Sequence, residues 1–430
     1  MTGSPAPLRS AEIIAVGSEL LGSKRVDTNS LFLADELASL GISLRAKAVV
    51  GDRRSDLATV FRQALERADL VILTGGLGPT DDDLTRDVVS EVLGLPLEED
   101  PAIVADIEAR FAKRGLRMPA INRRQAMVPR GATVLDNPNG SAPGLLVNVG
   151  ERVVVLLPGP PREMKPMFER VAASVLSPRA GRERFYRVSI LVAGRSESHV
   201  EEAIQPIYAP LATAVPPIET TILAAPGQIE VHLTALSGDA ELAHRSLASA
   251  RDRIVTAIGD DAFSADGRSM EDIVGGLLRD AGSTIAVAES CSGGLLLSRL
   301  TDIPGSSAYV RGGVVAYSND VKTAFADVPA ALIAEHGAVS EPVATAMAEG
   351  IRQRMDATVG VGVTGIAGPG GGTPTKPVGT VAIAVAAPSG TTVRTVRFNG
   401  SRAQIKHYAS QSALDMVRRT IARDAAVRRG

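Results

Sequence analysis

Residues 289–294 read ESCSGG, after the apolar stretch 284–288 and before the apolar LLLSRL. The pattern places small hydroxyls and free backbone N–H groups on a strand-to-helix turn, which suits an oxyanion or a phosphate. Next come Gly305-Ser306-Ser307, Tyr317-Ser318-Asn319 and Lys322, then a second glycine-rich loop, TGIAGPGGG, at 364–372. A neutral lysine can take a serine proton, so hydroxyl and amine together perform nucleophilic catalysis without histidine. The five histidines, at 199, 232, 244, 336 and 407, show no metal-ligand spacing and lie in none of these turns. The lone cysteine, Cys291, is the rival nucleophile, since a thiolate at a helix start is activated. Its commoner role is that of a small buried hydrophobe. On spacing alone, Ser307 and Lys322 also read as ordinary turn and surface residues.

A second chemical cluster lies near the N-terminus. Residues 74–87 read TGGLGPTDDDLTRD, a strand entering a glycine turn and then a helix. Gly75, Gly76 and Gly78 would let backbone N–H groups close on a phosphate. The acids Asp81, Asp82 and Asp83 would repel a bare phosphate, so a divalent cation is the natural mediator. Equally, acids in a first helical turn simply complement the helix dipole. Residues 156–167 (LLPGPPREMKPM, with Gly159) and 137–144 (NPNGSAPG) add two more small-residue loops. Three loops at strand ends fit a ligand crevice of an open α/β sheet, and they also fit plain turn chemistry.

The elements that must hold these loops alternate. Short apolar runs at 12–17, 42–50, 69–74 and 153–157 read as strands; helical periods at 28–40, 56–67, 84–93 and 162–175 separate or follow them. The helix at 28–40 opens on the cap-type residues Asp27 and Thr28 and closes at Gly41. Such alternation predicts a mostly parallel sheet with helices on both faces. A charged linker at 177–184 precedes an α+β piece with strands at 185–192 and 228–236 and helices at 198–207 and 240–258. A further linker at 263–269 leads into a third, again α/β, section. Four hundred and thirty residues leave room for these three domains, and 45% hydrophobic with 22% charged residues suffice for their cores.

Composition narrows the partners. Lys and Arg number 46 against 48 Asp and Glu, aromatics are 3% and Trp is absent, which argues against a general nucleic-acid binder. One cysteine excludes an internal disulfide and a cysteine-built zinc site, and fits a reducing compartment. The start, MTGSPAPLRS, has no apolar segment behind it, and no apolar stretch spans a bilayer, so a cytoplasmic protein is expected.

The motifs VGSELL, TNSLFLADELASLGI, VVGD, LTGGLGPTDDDLTRD, NPNGSAPG and LPGPPREMKPMF resemble the N-terminal domain of the competence/damage-inducible protein A (CinA) family, over nearly all of residues 11–170. AESCSGG, TDIPGSS, VVAYSNDVK, HGAVSEPVA, GVTGIAGPGGG and KPVGTVAIAV resemble its C-terminal domain, over about residues 270–425. The polar, proline-broken start (1–10) is expected to be flexible; the resemblance implies a molybdopterin-binding-like three-layer α/β domain (11–170), a small KH-like α+β domain (180–262) and a deamidase-type α/β domain (268–430). The KH-like piece lacks the GXXG loop that clamps nucleic-acid backbones; its nearest turn is AAPG at 224–227, so a structural role is expected.

For the C-terminal domain the resemblance implies hydrolysis of nicotinamide mononucleotide (NMN) to nicotinic acid mononucleotide and ammonia, with no cofactor. It assigns Ser307 as nucleophile, Lys322 as base and Tyr317 as the hydroxyl that relays or orients the proton. Ser290, Ser292, Gly293, Gly365, Ala367 and Gly368 are candidates for orienting substrate, and Arg402 for its phosphate. Ser292 stands where the family commonly has Thr, which keeps the hydroxyl. For the N-terminal domain it implies an ADP-ribose pyrophosphatase using Mg, Mn or Co, with a site at Gly75, Gly76, Gly78, Asp83, Asp87 and Gly159 and metal on Asp82 and Asp83. A homodimer is implied too. The alternative is a non-catalytic pterin- or partner-binding module linked to competence or DNA damage.

Overall fold

The apolar runs of the first section pair as expected. In the computed structural model, which describes residues 6–429, β1 (Ser10–Val16), β2 (Ser43–Val50) and β3 (Leu70–Thr74) alternate with α1 (Asn29–Ser39) and α2 (Arg54–Arg67). Then follow α3 (Thr85–Leu93), β4 (Leu97–Glu99), α4 (Pro101–Ala112), β5 (Met127–Pro129), β6 (Thr133–Leu135), β7 (Gly144–Val149), β8 (Arg152–Leu157) and α5 (Pro161–Val171). Six strands form one sheet in the order β2-β1-β3-β8-β7-β6. Its first four strands are parallel, and β7 and β6 add an antiparallel edge.

The central strands are apolar throughout because both faces are covered. Ile13, Ile72 and Val155 pack with Leu33, Leu37, Met164 and Phe168, while Ile14, Val71 and Val154 pack with Leu57, Phe61 and Val88. Each such side chain contributes about 1.5–3 kcal/mol when fully buried. Asp27 accepts the Ser30 N–H at 3.0 Å, so the cap-type residue does start α1.

The described residues form two compact units. The first reaches Tyr186 and takes in Leu236–Ala243; the second comprises Arg187–Ala235 and the chain from His244 onward. The middle piece has β9 (Arg184–Val192), α6 (Glu197–Tyr208), β10 (Ile218–Ala225), β11 (Gln228–Ser237), α7 (Ala240–Ile258) and β12 (Ala262–Ser264). Its sheet runs β10-β11-β9-β12, and the AAPG turn is the hairpin between β10 and β11.

The C-terminal section begins with α8 (Met270–Asp280), β13 (Ile285–Glu289), α9 (Leu295–Thr301) and β14 (Val310–Val315). It continues with α10 (Asn319–Ala326), α11 (Ala330–His336), α12 (Glu341–Arg354), β15 (Val359–Gly365), β16 (Thr380–Ala387), β17 (Gly390–Arg397) and α13 (Arg402–Arg429). The sheet order is β14-β13-β15-β16-β17, with β14, β13 and β15 parallel and the last two strands antiparallel.

The two faces of that sheet differ. Val381, Ile383 and Val385 join the large-residue core, whereas Ala382, Ala384 and Ala386 meet Ala344 and Ala348 of α12. Glycines complete this small-residue seam. A Cβ on Gly360 or Gly362 would lie 2.1 Å from the carbonyl oxygens of Ala348 or Ala344. One on Gly350 would lie 2.0 Å from the carbonyl of Ala326, at the end of α10. No helix among the described residues is long and apolar enough to cross a membrane.

Candidate active site

Parallel pairing gathers the C-terminal motifs. Glu289, last in β13, is opposite Val315 in β14 and Val363 in β15. The residues just beyond these ends, ESCSGG, Tyr317 and the TGIAGPGGG loop, therefore converge where open α/β sheets bind ligands. The Ser290 N–H donates to the Val363 carbonyl at 2.8 Å, fixing the start of the turn. Glu289 is buried and accepts the N–H groups of Leu296 and Leu297, at 3.1 Å each, which ties the turn to the first residues of α9.

Lys322 is carried back to this edge by α10, whose N-cap is Ser318. It is 2% exposed, and its Nζ donates to Ser290 Oγ at 3.2 Å, Ala316 O at 3.0 Å and Tyr317 O at 3.5 Å. Among the described residues no carboxylate lies within ion-pair distance of it. Burial lowers its pKa from the usual 10.5, which favours the neutral amine that a base requires.

Ser307 is not the partner of Lys322. It occupies the short 3-10 turn Ser306–Ala308, exposed, ahead of β14. Lys322 is anchored past the other end of that strand, and six residues of strand span about 20 Å. The serine that Lys322 does reach is Ser290, expected as a substrate-orienting residue. Tyr317 is exposed; its backbone carbonyl meets Lys322, while its hydroxyl accepts from Arg402 at 2.7 Å. The tyrosine hydroxyl is thus linked to the arginine and makes no hydrogen bond to the amine. The same guanidinium donates to the Gly368 carbonyl at 2.8 Å, so Arg402 joins two of the expected segments.

Cys291 does not compete. Burial pushes its thiol up to about 12, and the nearby Glu289 charge adds to this, so it is no thiolate at neutral pH. Its role is packing. A Cβ on Gly365 would lie 2.9 Å from Cys291 Sγ, 2.7 Å from Val381 Cγ2 and 2.9 Å from the Thr380 carbonyl oxygen. Gly365→Ala should therefore cost about 1–3 kcal/mol by overpacking, read as a lowered thermal midpoint. An unchanged midpoint would show that the strand end can yield. Ala367 is buried, and Gly368 (φ +77°) turns the loop against Val378. Ser292 is fully buried, and among the described residues its Oγ has no hydrogen-bond partner.

In the first unit a cleft of about 380 Å³ opens at the carboxyl ends of β1, β2, β3 and β8. Gly75, Gly76, Gly78 and Gly159 line it. Close approach explains the first two: a Cβ on Gly75 would lie 2.2 Å from the Val16 carbonyl oxygen, and one on Gly76 2.2 Å from Thr85 Oγ1. Asp82 and Asp83 line it also, joined by Glu19, Asp52 and Glu163, which residue-by-residue reading had not singled out. Asp83 accepts the N–H and hydroxyl of Thr80, at 2.9 and 2.5 Å. Asp87 does not line the cleft; it is 3.8 Å from Arg124. Among the described residues no three His, Cys, Asp or Glu side chains come together to hold one metal ion. The donor set suits Mg²⁺ only in its usual hydrated mode, on one or two carboxylates with substrate phosphates completing the shell.

Residues 12–178 match the family model described as a probable molybdopterin binding domain, and residues 267–421 match the CinA C-terminal domain. A CinA-like protein of Koribacter versatilis is 47% identical over 416 residues, covering 96% of this chain and 99% of that one. The chain belongs to the CinA family. A putative competence-damage inducible protein of Symbiobacterium thermophilum is 45% identical, covering 95% of this chain and 98% of its own. Among solved structures, the CinA protein from Thermoplasma acidophilum, titled as of unknown function, is 33% identical, covering 39% of this chain and 99% of that chain, with a TM-score of 0.37. Membership in the CinA family accounts for both site-bearing regions, each a mixed sheet whose parallel strands end in glycine turns.

Proposed function

We propose that the C-terminal section is an amidohydrolase that deamidates NMN. The observation that carries the reading is the buried Lys322 amine, free of carboxylates among the described residues and hydrogen-bonded to Ser290 Oγ. Ser290 attacks the carboxamide carbon while Lys322 takes its proton. The oxyanion is stabilised by backbone N–H groups of the ESCSGG turn, and the proton passes to the departing ammonia. Water then cleaves the acyl-enzyme, again with Lys322 as base, giving the carboxylate and restoring Ser290. Ammonia release from NMN by the purified chain tests this; no release, with properly folded protein, would end the reading.

The cleft of the first unit favours a second activity, hydrolysis of the pyrophosphate of ADP-ribose. Five carboxylates and five strand-end glycines line one cavity, which suits a polyphosphate brought in with a cation. Asp82 and Asp83 would hold that Mg, Mn or Co ion, which would neutralise charge on the phosphates. AMP release should be sensitive to EDTA and fall at least tenfold in Asp82→Asn and Asp83→Asn. Intact ADP-ribose after incubation with added metals would exclude the activity.

A further inference from the structure

Strand β11 alternates: Ile229, Val231 and Leu233 are buried, so Gln228, Glu230 and His232 share the opposite face. Ser189 of the neighbouring strand β9 meets them there. Its Oγ lies 2.8 Å from His232 Nδ1, and His232 Nε2 lies 3.2 Å from Glu230 Oε2. A carboxylate only accepts, so in the neutral ring Nε2 carries the proton and Nδ1 offers its lone pair to the serine. The other carboxylate oxygen accepts from Gln228 at 2.9 Å, and Gln411 of α13 donates to Gln228 Oε1 at 3.3 Å. The acid is thus oriented by a chain of amides whose last member accepts from Arg299. Serine, imidazole and carboxylate in this order make a nucleophilic relay that recurs on unrelated folds and is recognised by geometry, whatever the chain positions.

The three side chains line one cavity of about 460 Å³. Leu191 and Met270 give it an apolar wall, and its carboxylates, Glu230 and Glu271, outnumber the single guanidinium of Arg299. Gly267 (φ +83°) passes beside the serine, where a Cβ would lie 3.3 Å from Ser189 Cβ and 3.9 Å from its Oγ. A bare glycine there leaves the hydroxyl room for an incoming carbonyl.

We propose that Ser189, His232 and Glu230 form a second hydrolytic centre, one that cleaves small uncharged carboxylic esters. Ser189 Oγ attacks the ester carbonyl carbon as His232 Nδ1 takes its proton, and Glu230 holds the imidazolium through Nε2. The bond from that carbon to the alcohol oxygen then breaks, and the alcohol leaves with the proton from Nδ1. Water adds to the acyl-serine and gives a proton to His232; collapse releases the carboxylic acid and restores Ser189. The apolar wall takes a short acyl chain, and the excess of carboxylates disfavours an anionic ester. This chemistry is independent of the amide hydrolysis at Lys322.

The test uses the full chain carrying Ser290→Ala, which silences the nucleophile of the other site. A fluorophosphonate should label Ser189, with the P–F bond breaking as Oγ–P forms and fluoride leaves; peptide mass spectrometry locates the label. The same chain should hydrolyse p-nitrophenyl butyrate, and the anionic p-nitrophenyl monoester of succinic acid more slowly. Adding Ser189→Ala or His232→Ala should lower both butyrate turnover and labelling about 10²-fold or more, with the circular dichroism spectrum retained. No label, a label on another residue, or ester turnover undiminished by Ser189→Ala would overturn the centre. Locating the label needs no change at the centre itself, so it decides the matter even where a variant there fails to fold.

Discussion

Ser290→Ala and Lys322→Met should each lower ammonia release from NMN by about 10²–10⁴-fold, the range typical for losing a positioned acid or base. Ser307→Ala should stay near the parent rate, because its turn lies at the opposite end of β14 from Lys322. Lys322→Arg is the informative control. It keeps a buried cation with hydrogen-bond donors for Ala316 O and Tyr317 O, but it cannot give up a proton in this range. Activity should therefore fall as far as in Lys322→Met, which support of the fold alone would not produce. The pH profile carries the same signature. Burial lowers the Lys322 pKa, so kcat/KM should rise along a limb centred below 10.5 and level off once the amine is neutral. Lys322→Met should lack that limb. A dead Ser307→Ala beside an active Ser290→Ala would reverse the assignment of the nucleophile.

Arg299→Met should be strongly destabilising to the second unit. Arg299 is buried; its guanidinium pairs with Glu271 of α8 and donates to Ser410 Oγ at 2.7 Å and Gln411 Oε1 at 2.5 Å, both on α13. Three helices, α8, α9 and α13, thus meet on one planar fork. Removing it leaves a largely buried carboxylate without a counter-charge, which costs about 3–5 kcal/mol. The double variant Arg299→Met/Glu271→Gln should recover much of the loss, since no charge is then stranded. Denaturant titration of parent, single and double variants reads both effects. Burial pushes Glu271 upward, yet the Arg299 hydrogen bond and charge outweigh it, and its pKa lies below the usual 4.5. A depressed carboxylate contributes stability that is present above 4.5 and lost as pH falls through the lower folded value. That acid-side loss should be absent from Arg299→Met. Equal stability of parent and Arg299→Met would dismiss the clamp.

Local pattern carried most of the architecture. The apolar runs at β1, β3 and β8 need cover on both faces, and that requirement alone predicts helices between parallel strands. The β16–β17 hairpin was less visible, because VAIAVAA puts alanine where a buried strand ordinarily shows β-branched bulk. Small residues are there because α12 presses its backbone against them. The site was legible as a set of turns and illegible as a set of pairs. Nothing in the spacing of Ser290, Ser307 and Lys322 says which serine the amine meets. The register of β13 against β14 decides it, by bringing the end of one strand beside the end of the other and leaving Ser307 at the start.

The seam between α12 and the alanine face of the sheet has a consequence for variation. Main chain meets main chain there: Gly360 and Gly362 against the carbonyls of α12, and Gly350 against the end of the helix that bears Lys322. The height of the base above the sheet is therefore set partly by backbone contact, beside the buried side chains of Val343, Met347 and Ile351 that pack against Ala326 and Val328. Substrate preference can drift through the loops and through α13 while the amine stays where it is. A lineage seeking to move that amine meets fixed main-chain contacts at the glycines and has only the side chains packed beside them to adjust.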